Sequence, residues 1–114
     1  MKRLKDTFLT AIQSKALAKL RERLYIEFDV ESIILYGSVA RGESDEESDI
    51  DLLIITTTPM DRSERHKITD VIFEVNLGYG AHFSSLVVDR KCWEEGALSI
   101  LPLRDEILKD GFLV

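Results

Sequence analysis

Three residue groups near the middle of the chain have the types and spacing to do chemistry: Gly37-Ser38, Arg41, and Asp49-Ile50-Asp51. A glycine that ends a β-rich run lets the backbone turn sharply and approach a ligand. Val39 and Ala40 behind it suit a helical turn, which aims unpaired N–H groups outward, and the Ser38 hydroxyl adds a donor. Such a bend can hold phosphate. Asp49 and Asp51 are two apart, and residues two apart on a strand project from one face. Two carboxylates about 5 Å apart repel by roughly 3 kcal/mol at an effective dielectric near 20. A divalent cation removes that cost, and Mg²⁺ favours one or two carboxylates with phosphate oxygens and water. Arg41 lies one helical turn after Ser38, within reach of a phosphate; a solvated surface arginine is the plain alternative.

Each feature alone is weak, because most Asp-x-Asp pairs are solvated turns. Together they fix four residue types, which coincide by chance in about one chain per thousand of this size. The elements around them agree. From about Asp6 to Phe28, the residues Phe8, Ile12, Ala16, Leu20, Leu24 and Phe28 recur every fourth position, predicting one long amphipathic helix. Ser32–Tyr36 reads as a strand stopped by Gly37, and Asp49–Thr56 as a second. In the second, Ile50, Leu52 and Ile54 lie on one face and Leu53 and Ile55 on the other, so it belongs inside a covered sheet.

Asp61 and Glu64 have capping-box spacing and start a second helix, with Ile68, Val71, Ile72 and Val75 as its buried stripe and Gly78 and Gly80 as its stop. Phe83–Val88 is a third strand, Asp89 caps a short helix through Trp93, and Leu103–Lys109 forms the last helical turns. The order αβαβαβαα gives a small α/β sheet with helices packed on it.

Gly37-Ser38, ten residues, then Asp49-x-Asp51, in a Ser-x-x-Arg-Gly and Ser-Asp-Ile-Asp-Leu-Leu context, resembles the signature of the polymerase-β-type nucleotidyltransferase superfamily, in particular its minimal single-domain members. That resemblance implies an α+β fold, a mixed sheet flanked by helices, and transfer of a nucleoside monophosphate from an NTP to an acceptor hydroxyl. Gly37, Ser38 and Arg41 would then bind the nucleotide, and Asp49 and Asp51 would be the catalytic metal ligands for Mg²⁺ bound with ATP or another NTP.

The pattern breaks at one place. Active members carry a third carboxylate on a later strand, and here Ser85, with Ser84 as the alternative register, stands at that position. Asp89 is four residues beyond Ser85 and reads as a helix cap. Two functions therefore remain open: an enzyme working with two aspartates, or a degenerate nucleotide-binding or antitoxin module acting by protein–protein binding. Minimal proteins of this kind resemble the antitoxin half of toxin–antitoxin pairs whose partner is a small helical HEPN toxin, with AMP transfer to a toxin tyrosine as the implied activity. Glu43, Asp45, Glu46 and Glu47 would give such a partner an acidic rim, unless they merely aid solubility.

The totals bound the rest. At 114 residues, 45% hydrophobic and 32% charged, the chain predicts one globular domain over 1–114. A net charge of −6 argues against nucleic acid as the partner, while a single nucleotide remains open because a bound cation reverses the local sign. One cysteine, Cys92, excludes an intrachain disulfide. Neither a leader nor a membrane span is evident, so a cytoplasmic location is expected. A homo-oligomer through the first helix or the Phe112-Leu113-Val114 edge is compatible with the pattern.

Overall fold

The computed structural model describes residues 1–3, 9–43, 49–96 and 100–114. In chain order the elements are β1 (Lys2–Arg3), α1 (Ala11–Glu27), β2 (Val30–Tyr36), β3 (Ile50–Thr56), α2 (Arg62–Tyr79), β4 (Phe83–Asp89), α3 (Arg90–Glu95), α4 (Pro102–Asp110) and β5 (Phe112–Leu113). One mixed sheet runs in the order β1-β5-β2-β3-β4. The pair β2–β3 is antiparallel and β3–β4 is parallel. A mixed sheet between helices is the expected class. β1 and the short return of β5, parallel to each other, extend it beyond the three strands legible in sequence.

The central strand behaves as its pattern requires. Ile50, Leu52 and Ile54 pack with Ala16, Leu17, Leu20 and Leu24 of α1 and with Ile68, Val71, Ile72 and Val75 of α2. Leu53 and Ile55 face the other way, onto Trp93 of α3 and Ile107 of α4. Leu52, Leu53 and Ile54 are fully buried, and each contributes about 1.5–3 kcal/mol of transfer free energy. This anchors β3, so the residues that open it inherit a fixed position.

Helix α1 departs from the every-fourth-residue expectation. It starts at Ala11, with Thr10 and Gln13 forming a reciprocal capping box, and Ile12 is 61% exposed. The reason is geometric. A spacing of four drifts about 40° per step around a helix of 3.6 residues per turn, so a stripe centred on Leu20 carries Ile12 off the buried face. Phe28 has left the helix and sits extended at its C-cap. Phe8 lies outside the described residues.

Asp61 caps α2 by accepting from Glu64 N–H at 2.8 Å, and Asp89 caps α3 by accepting from Cys92 N–H at 3.0 Å, both as the sequence indicated. Gly80, in the left-handed region at φ 64°, ends α2; Gly78 does not, and stays inside the helix. No helix among the described residues is long and apolar enough to cross a membrane.

Candidate functional site

β2 delivers Gly37 and β3 delivers Asp51 to the same end of the sheet. The two strands are in antiparallel register from Leu35 opposite Leu52 to Tyr36 opposite Asp51, so Gly37 leaves β2 just beyond Asp51. Gly37 has φ 83°, a conformation that side chains rarely adopt, and a Cβ added to it would meet the Asp51 carboxylate. A glycine is thus required twice over, by the turn and by the acid packed against it.

The helical turn expected after Gly37 is a single compact turn over residues 38–42. Arg41 N–H donates to Gly37 C=O at 3.2 Å, Gly42 N–H to Val39 C=O at 3.1 Å, and Glu43 N–H to Ser38 C=O at 2.9 Å. Val39 and Ala40 are buried in the core beside Leu35 and Ile50, which pins the turn to the sheet. One turn is all the segment makes, because Gly42 at φ 70° reverses the chain immediately.

Asp49 precedes the strand and is exposed, and Asp51 is half-buried. Burial first, and then the Asp49 charge, push the Asp51 carboxyl above its ordinary range, while Arg41 opposes them. The two acids therefore do repel, and the Arg41 guanidinium is close enough to be felt at Asp51. Arg41 itself is ion-paired with Glu43 at 3.0 Å, and that bond, with the fields of Glu43, Asp110 and Glu106, holds its proton more firmly than usual. Asp45, Glu46 and Glu47 of the acidic rim lie outside the described residues.

The third-carboxylate question is decided by register. β4 places Ser84 opposite Asp51 and Ser85 opposite Leu52. Directly paired residues share a face, so Ser84 stands beside Asp51, while Ser85 belongs to the opposite side with Leu52. Of the two serines, Ser84, the alternative register, is thus the one on the face of Asp51; counting apolar residues after the acid position does not fix a strand's phase against its neighbour.

Tyr36 was not singled out in sequence, yet it pairs with Asp51 from the other flank. Burial and then the Asp51 charge keep its hydroxyl protonated to higher pH than a free tyrosine, so it is available as a hydrogen-bond donor. Period-two alternation back from Gly37 would have placed it there. His82 is exposed at the head of β4, where its C=O accepts from Ile50 N–H at 2.8 Å. His66 is an exposed residue of α2, remote in sequence from this turn. Among the described residues, no group of three or more His, Cys, Asp or Glu side chains is gathered to hold a metal.

What remains is a pair of hard oxygen ligands on a fixed strand end, a hydroxyl-bearing turn and a nearby guanidinium. That donor set suits Mg²⁺ carrying a phosphate chain, which would supply the missing ligands itself.

Comparison with known proteins gives the family. Residues 14–108 match the family model described as nucleotidyltransferase domain. Two proteins of Methanocaldococcus jannaschii are similar: "Putative protein adenylyltransferase MJ1305", 44% identical over 63 residues, and "Putative protein adenylyltransferase MJ0141", 36% identical over 58. The matches cover 54% and 51% of this chain, and the chain spans 43% and 59% of those relatives' lengths. A crystal structure of a toxin–antitoxin with AMP-PNP superposes with a TM-score of 0.57 at 18% identity, covering 87% of this chain and 69% of that one. At that identity the likeness is one of fold.

Proposed function

Because the chain belongs to the nucleotidyltransferase domain family, we propose that it binds a Mg²⁺-bound nucleoside triphosphate, ATP foremost, and transfers its nucleoside monophosphate to a hydroxyl of a partner protein. The observation that carries this reading is the packing of the Asp51 carboxylate against Gly37, at a strand end where Asp49 raises the same acid. An acid held in that state gains most from a cation, and the glycine beside it is what lets the carboxylate pack against the turn.

Asp49 and Asp51 would hold the metal, which when bound neutralises charge on the triphosphate and orients the α-phosphate for attack. The Ser38 hydroxyl and the turn behind Gly37 would position the phosphate chain, and Arg41 would exchange Glu43 for a phosphate oxygen. In the transfer, the acceptor oxygen bonds to the α-phosphorus, the bond to the bridging β-phosphate oxygen breaks, and pyrophosphate leaves. The hydroxyl proton goes to solvent or to a group of the acceptor protein, since Ser84 is no base.

A protein acceptor is supported by the names of the similar archaeal proteins, and a toxin partner by the toxin–antitoxin neighbour. A small helical HEPN-type toxin with an accessible tyrosine fits both. Ser84 beside Asp51 favours a second reading, in which nucleotide is bound but transfer is slow or absent. Incubating the chain with labelled ATP, Mg²⁺ and its co-purifying protein, then mapping any modified residue, separates the two. Label on the partner that is lost in Asp49→Asn supports transfer. Calorimetric uptake of Mg-ATP without label supports the binding module, and no uptake at all ends both.

A further inference from the structure

The order of the strands fixes the side from which an acceptor hydroxyl must enter. β3 carries the acids between β2 on one flank and β4 on the other. Gly37 and its turn leave the end of β2 against Asp51. A phosphate chain held by that turn puts the departing pyrophosphate on the β2 side. In phosphoryl and nucleotidyl transfer the attacking and leaving oxygens lie roughly in line, on opposite sides of the phosphorus. The acceptor oxygen therefore arrives from the β4 side.

The head of β4 carries a histidine there. Ile50 pairs with Phe83, and Ile50 N–H donates to His82 C=O at 2.8 Å. His82 thus stands one step ahead of the first paired residue of β4, as Asp49 stands one step ahead of Ile50. Neighbouring backbones in a sheet are about 4.8 Å apart. Burial gives the face. Ala81 and Phe83 are buried in the same core as Ile50, whereas His82 and Ser84 are exposed. That alternation puts His82 on the face of Ser84, which is the face of Asp51. Among the described residues, no hydrogen bond or ion pair engages its imidazole. A hollow of about 410 Å³, lined by Phe73, Asn76, Leu77, Gly80, Ala81 and His82, opens beside it, so this side is clear for an incoming group.

We propose that His82 takes the proton of the acceptor hydroxyl and releases it to solvent, a role that rests on the transfer proposed above. A neutral imidazole nitrogen accepts the proton as the acceptor oxygen bonds to the α-phosphorus. The bond to the bridging oxygen breaks, pyrophosphate leaves with that electron pair, and the exposed imidazolium returns its proton to water. Imidazole is the side chain suited to both halves of this exchange near neutral pH. Ser84, deeper on the same strand, is not.

Two measurements on the full chain test the assignment. The first reads position. The chain has two histidines, His66 and His82. Mn²⁺-ATP titrated into the protein should broaden the imidazole proton resonances of His82 strongly and those of His66 little, since His66 lies roughly 20 Å along α2 from its end at Tyr79. The second reads chemistry, with labelled ATP, Mg²⁺ and the co-purifying protein as acceptor. His82→Ala should slow transfer by about a hundredfold or more, leave calorimetric uptake of Mg-ATP unchanged, and regain part of the rate when imidazole is added to the buffer. His82→Gln keeps a hydrogen-bonding side chain without a base and should be as slow as alanine. The side chain is exposed, so neither variant empties the core. Unchanged transfer in His82→Ala, full activity in His82→Gln, no response to imidazole, or a His82 resonance as sharp as that of His66 overturns the assignment and leaves the transfer reading standing. A wild-type chain that labels nothing overturns both.

Discussion

Gly37 and Asp51 touch across the open end of the β2–β3 pair: a methyl group on Gly37 would lie 3.2 Å from the Asp51 Cγ and overlap one of its carboxylate oxygens. The turn that would cradle phosphate and the acid that would hold its cation are thus one packed unit. Neither can shift without the other.

Gly37→Ala should therefore damage both stability and binding. The left-handed conformation alone costs a side chain about 1–2 kcal/mol, and the overlap displaces Asp51 as well. Gly80→Ala is the control: Gly80 is also left-handed, but an added Cβ meets nothing within 4 Å. Urea denaturation should show a loss of about 1 kcal/mol for Gly80→Ala and a larger one for Gly37→Ala. Only Gly37→Ala should also lose Mg-ATP binding by calorimetry.

Asp51→Asn should raise the melting temperature of the ligand-free protein at neutral pH by a few degrees. Folding raises the Asp51 pKa, chiefly by burial and then by Asp49. The folded state thus favours the protonated acid. Its contribution to stability is full below the unfolded carboxylate pKa and is lost as pH rises through the folded value. The advantage of the asparagine should accordingly shrink as pH falls into the carboxylate range. Mg-ATP binding should be abolished, and melting curves at several pH values with and without Mg-ATP check both halves.

Ser84→Asp should restore a third carboxylate beside Asp51, whereas Ser85→Asp, on the other face, should not. Metal titrations should show tighter Mg²⁺ or Mn²⁺ binding in the first variant, by about tenfold or more. The ligand-free Ser84→Asp protein should melt lower than wild type, since three acids then share one strand end. Equal metal affinity in the two variants would count against the register given for β4.

Asn76→Ala should cost about 1–3 kcal/mol, since it leaves the N–H and C=O of Phe83 without the amide that holds them. Asn76→Asp keeps the acceptor, loses the donor, and should fall between wild type and alanine. Chemical denaturation of the three proteins gives the order.

Much of the scaffold was written locally. Asp61 and Asp89 cap helices because a carboxylate three residues before a free N–H needs no distant partner, and Ile50 to Ile55 read as a two-faced buried strand for the same local reason. The Thr10–Gln13 box is an equally local signal, and it starts α1 at Ala11, where the apolar repeat alone points to about Asp6.

By itself the sequence singled out Gly37, Ser38, Asp49 and Asp51 as the candidate site, because their types and spacing encode a sharp bend beside a pair of acids. It also determined that β3 lies inside a covered sheet. Only the tertiary structure decided that Ser84 rather than Ser85 stands beside Asp51 and that Tyr36 flanks the same acid. The physical reason is register. Alternation along a strand is local, but the phase between two strands is set by hydrogen bonds and packing between residues distant in the chain, and shifting it by one residue exchanges the two faces.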